Sequence, residues 1–74
     1  MTLITDKEQI AATLRNYHNG NLFKIRTVEW VSFAFFIKFE DNALYFVKAN
    51  DYWKTGEKKI TKIQLHRIKS IRDL

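Results

Sequence analysis

The sequence predicts an α+β domain in which one N-terminal helix precedes an antiparallel meander of four to five strands. Three observations predict it. Residues 6–19 carry a helix-start signal and helical apolar spacing, and from Leu22 onward Phe, Ile, Val, Thr and Tyr dominate. Between two such runs, Asp41-Asn42 forms a turn dipeptide.

Thr5-Asp6-Lys7-Glu8 fits a capping box, in which the Thr5 hydroxyl accepts from the Glu8 amide and the Glu8 carboxylate accepts from the Thr5 amide. Asp6 complements the helix dipole. Ile10, Leu14 and Tyr17 then recur at helical spacing with Ala11 beside them, while Lys7, Arg15 and His18 fall mostly elsewhere. Gly20 tolerates the left-handed backbone that ends a helix, so the helix is expected over about 6–19.

Strands are expected at about 22–29, 32–40, 43–49 and 58–66. In the first, Phe23, Ile25 and Thr27 alternate with Lys24 and Arg26. In the second, Phe33, Phe35, Ile37 and Phe39 share one face, read as the face toward the helix, which puts Ala34 and Phe36 on the other. Asp41 and Asn42 both tolerate positive φ and lead into the third strand. Residues 50–57 read as a loop, with Gly56 in its second half and Tyr52-Trp53 bulky for such a place.

The C-terminal segment admits two readings. As a helix, Ile60, Ile63, Ile68, Ile71 and Leu74 fall on one side; as a strand, Thr61, Ile63 and Leu65 share a face. The β-branched density favours the strand, followed by a helical turn or short strand over 67–72. Ile63-Gln64-Leu65-His66-Arg67-Ile68-Lys69-Ser70-Ile71 resembles the last strand, turn and edge strand of several small barrels. The sheet could thus lie open with the helix against one face, or curl into a small SH3- or Sm-like barrel with the helix over one end.

With 74 residues and no cysteine, the chain is expected to be a single domain, 1–74, held together by apolar packing. The 46% apolar and 15% aromatic content can carry that burden, and a homodimer is a further route to stability. Met1 to Asp6 lacks the charged and apolar segments of a signal peptide, and the apolar run Val31–Ile37 is too short for a membrane span. A cytoplasmic protein without a membrane partner is expected.

The formal charge of +5 is unevenly spread: residues 54–72 hold seven basic side chains against Glu57, whereas residues 1–37 hold four against three acids. Such a field draws polyanions or acidic protein surfaces. Lysines that neutralise phosphates, interleaved with rings that stack on bases, suit nucleic acid. Tyr52, Trp53, Lys54, Lys58, Lys59, Lys62, His66, Arg67, Lys69 and Arg72 supply the mixture and form the candidate contact set. If Phe33, Phe35, Ile37 and Phe39 face the helix, Phe36 is left on the other face; closure of the sheet, in which a bent strand turns both faces inward, is the favoured account, and a protein interface at Phe36 is the alternative.

No catalysis is expected. Ser32, Ser70, His18 and His66 sit in no recognisable nucleophile turn, the two histidines lack metal-ligand spacing, and two glycines cannot build a phosphate loop. No cofactor or metal is expected either. The reading is a small non-enzymatic binding protein, most directly one for nucleic acid. The alternative is a protein-binding inhibitor of host or defence machinery, such as an anti-CRISPR-like factor, of the kind phages and mobile elements encode.

Overall fold

A computed structural model describes residues 2–56 and 59–74. The element order is β1 (Thr2–Ile4), α1 (Lys7–Asn16), β2 (Leu22–Thr27), β3 (Val31–Glu40), β4 (Ala43–Lys48), α2 (Ala49–Thr55), β5 (Ile60–Gln64), a 3₁₀ turn (Leu65–Arg67) and β6 (Ile68–Asp73). The six strands form one antiparallel sheet in the order β1-β6-β2-β3-β4-β5, so β1 and β5 are its edges and the sheet is open.

Helix α1 starts one residue later than the capping box implies. Asp6, not Thr5, is the N-cap, and its carboxylate accepts from the Gln9 amide at 3.1 Å. The helix ends at Asn16, and Gly20 (φ 91°) serves the connection to β2, donating its amide to the Phe36 carbonyl. Ile10, Ala11 and Leu14 are buried, and Tyr17 packs its ring on Phe23 and Phe36.

Asp41 and Asn42, with φ of 53° and 57°, form the two-residue β3–β4 hairpin turn. The segment expected as a loop is helix α2, closed by Gly56 in the left-handed region (φ 74°). Tertiary packing accounts for it: Tyr52 and Trp53 both set their rings edge-on to Phe35, at 5.9 and 6.5 Å. Seven residues are too few for a helix to persist on propensity alone. Strand β1 is a further element absent from the sequence reading; its register, Leu3 opposite Arg72, covers an edge of β6 that would otherwise be bare.

A bulge breaks the single alternation expected of β3: Phe39 packs on the core as expected, but the residues before the bulge have their faces exchanged. Register shifts between Phe36 and Lys38, so Phe36 lies opposite Phe46 and Phe39 opposite Leu44. With Leu44 and Phe46 both in the core, Ala34, Phe36 and Phe39 join them, while Phe33 and Phe35 face outward. Phe36, 4% exposed, is therefore a core residue and not an interface residue. One extra residue in a strand reverses its alternation from that point on.

The connection between β5 and β6 shows how the sheet bends. These strands are four spacings apart in the sheet, about 19 Å if it lay flat, yet a three-residue 3₁₀ turn spans only about 6 Å. The sheet must curl. Its concave side holds Phe23, Ile25, Phe36, Leu44, Phe46, Ile68 and Ile71 against Ile10 and Leu14 of α1. The Lys7 ammonium donates to the carbonyls of Ile68 and His66, fastening the start of α1 to the 3₁₀ turn.

Candidate nucleic-acid interface

The alternation of β2 places Phe23 and Ile25 in the core and turns Lys24 and Arg26 to the convex side. Strand register extends that side across the sheet. Leu3 on β1 lies opposite Arg72 on β6, Arg72 opposite Lys24 on β2, and Lys24 opposite Phe33 on β3. The Lys24 ammonium sits 5.7 Å from the Phe33 ring centroid. Arg26, opposite Val31 and Ser70, completes a shallow depression lined by Leu3, Lys24, Arg26, Val31, Ser70 and Arg72.

Further along the same side, Lys38, Tyr45 and Lys62 form a second cross-strand row. Both ammonium groups approach the Tyr45 ring, at 4.7 Å for Lys38 and 5.6 Å for Lys62. Helix α2 lies between the two rows, with Trp53 61% exposed beside Phe35. The two ion pairs among the described residues, Lys38–Glu40 and Arg67–Glu29, leave Lys24, Arg26, Lys62 and Arg72 uncompensated.

The residues singled out in the sequence do not form one patch. Tyr52, Trp53, Lys62 and Arg72 belong to the convex side; Lys54 is exposed on α2 and Lys59 is exposed just before β5. His66 and Arg67 lie in the 3₁₀ turn, where Arg67 donates to Glu29 at 3.0 Å. Lys69 occupies the bulge between the Arg26–Ser70 and Thr27–Ile68 pairs, on the side of Lys7. Burial and the nearby Lys69 charge hold the Lys7 ammonium below its ordinary pKa. Lys58 lies outside the described residues.

Lys24, Arg26, Phe33, Lys38 and Tyr45 were missed because they lie upstream of the charge-rich segment. The Lys24/Arg26 alternation was visible in the sequence; that Arg72 and Phe33 flank Lys24 depends on strand pairing.

On the opposite side, the Tyr17 hydroxyl donates to the Asp73 carboxylate at 3.2 Å. Burial chiefly, with the Asp73 charge and this hydrogen bond, pushes the phenol well above its ordinary value. Among the described residues, no three His, Asp or Glu side chains converge as metal ligands, and no helix is long and apolar enough to cross a membrane.

The site therefore defines a class by geometry alone: a small antiparallel α+β domain whose curled sheet buries one side and presents cations and rings on the other. No family model matches the chain, and neither does a curated protein or a solved structure.

Proposed function

We propose that the protein is a non-enzymatic module that binds single-stranded nucleic acid across the convex side of its sheet. The observation that carries this reading is the cross-strand row Arg72–Lys24–Phe33, with Phe35 and the exposed Trp53 beyond it. Adjacent strands lie about 4.8 Å apart, so successive side chains of the row can meet successive phosphates and bases of an extended strand. Cations neutralise phosphate and release counterions, and ring faces stack on any base, giving affinity without sequence preference. The turn that joins β5 to β6 supports an SH3- or Sm-like curl, which would make this side a continuous outer wall.

The test is a tryptophan-fluorescence titration with oligothymidylate and oligouridylate at several salt concentrations. Binding should weaken steeply with salt, and Arg72→Gln should reduce the log–log salt slope by about 0.7, the value for one phosphate contact on a single strand. A signal unchanged by either oligomer at low salt would sink the reading.

A second reading has its own support. Leu3, Leu22, Val31 and Phe33 are exposed between the cations, an apolar content suited to an acidic protein surface and hence to an inhibitor of the phage or mobile-element type. A protein partner retained after nuclease treatment, with no oligonucleotide binding, would favour it.

A further inference from the structure

A cleft of about 380 Å³ lies between the β2–β3 connection and β5. Its β5 lining is Thr61, Lys62, Ile63 and Gln64, four consecutive residues. Side chains of a strand alternate between its two faces, so consecutive residues line one cleft only where it runs along the strand's backbone edge. Among the described residues nothing pairs with that edge: β5 pairs with β4 on its other side and is last in the sheet order.

The opposite wall is a mounted cation. Thr27 Oγ1 accepts from the amides of Glu29 and Trp30 at 3.2 Å each and so fixes the turn. The Trp30 ring packs on Phe46, 5.8 Å between centroids, and Lys48 holds its ammonium 4.1 Å from the Trp30 centroid. The ring is engaged by the core and by Lys48, which makes it a support for a charge and not a platform for a base. Around the cleft Arg67 and Glu29 compensate each other, which leaves the charges of Lys48 and Lys62 in excess.

We infer that this cleft takes an extended acidic peptide, which adds to the unpaired edge of β5 as a further strand and sets its carboxylates against Lys48. Strand addition draws affinity from main-chain hydrogen bonds and specificity from alternate side chains. The cleft shares Lys62 with the convex side, whereas Lys24, Arg72 and Trp53 take no part in it, so variants at those three positions separate the two readings.

The probe is a terminally blocked, fluorescent peptide alternating glutamate and valine, followed by anisotropy at low salt. Two further forms carry N-methyl groups at every valine or at every glutamate. Only one of the two sets of amides can face β5, so one methylated form should bind at least about tenfold more weakly than the other. Lys48→Gln should weaken the unmodified peptide about tenfold, through loss of a charge-assisted contact.

Equal affinity of all three peptides, absence of saturation, or a folded Lys48→Gln variant with unchanged affinity overturns the proposal. So does stoichiometric displacement of the peptide by oligothymidylate, which would assign the cleft to nucleic acid. A concentration-dependent mass that the peptide does not dissociate would assign the edge to a second copy and equally overturn it. Should Lys48→Gln fail to fold, the methylated pair decides the matter on the unaltered protein.

Discussion

The concave and convex sides of the sheet are built from the same strands and differ in what their side chains do for one another. On the concave side Phe23, Phe36, Leu44 and Phe46 close around Ile10 and Leu14, and no buried side-chain polar atom among the described residues lacks a hydrogen-bond partner. On the convex side Lys24 meets Phe33, and Lys38 and Lys62 meet Tyr45, each cation resting on a ring while both stay in contact with water. Burial makes the first side stabilising. Incomplete burial leaves the second available for contact, because an exposed cation–ring pair contributes only about 0.5–1 kcal/mol to folding.

Four measurements sharpen or break this contrast. The largest effect belongs to Phe46→Ala, which leaves a cavity beneath Trp30 and should cost about 3–5 kcal/mol in urea unfolding. For a domain this short that approaches the whole stability, about 4–11 kcal/mol, whereas Phe33→Ala on the convex side should cost well under half as much. Comparable losses at the two positions would abolish the distinction.

Next is the alkaline limb of stability. Tyr17 has a folded pKa raised above its ordinary 10.0, so its contribution is fully present below pH 10 and is lost as pH rises from there toward the folded value. The unfolded chain loses the proton first, and stability falls by at most about 1.4 kcal/mol per pH unit, less to the extent that water screens the partly exposed ring. Urea midpoints at rising pH should decline less in Tyr17→Phe than in the unaltered protein; parallel declines would remove Tyr17 from the account.

Asp6→Ala should cost about 1 kcal/mol through loss of the N-cap, while Thr5→Ala should cost little, since Asp6 is the residue bound to the Gln9 amide. The reverse ranking would restore the capping box. Smallest of all, Lys24→Gln with Arg72→Gln should shift stability by less than about 0.5 kcal/mol, as befits exposed charges. A larger loss would make this row part of the scaffold instead of a contact surface.

Local signals carried much of the architecture. The helix is written in the spacing of Ile10, Leu14 and Tyr17, the hairpin in Asp41-Asn42, and the strand–turn–strand ending in the β-branched run after Lys59. Each depends on neighbours a few residues away. The candidate site was legible only in part. Trp53, Lys62 and Arg72 stood out within a charge-rich segment, but the segment's remaining cations scatter, and Lys24 and Phe33 join from elsewhere in the chain.

What the sequence by itself determined is therefore the class of fold, one basic C-terminal half and a hairpin whose two turn residues accept positive φ. The tertiary structure alone decided which face of β3 is buried, that Tyr52 and Trp53 ride on a helix, that Thr2–Ile4 pairs with β6, and which cations share a surface. The reason is physical. Propensities and turn chemistry act between near neighbours, whereas a single bulge residue and the pairing of strands some fifty residues apart are set by packing of the whole sheet, and they reassign every side chain beyond them.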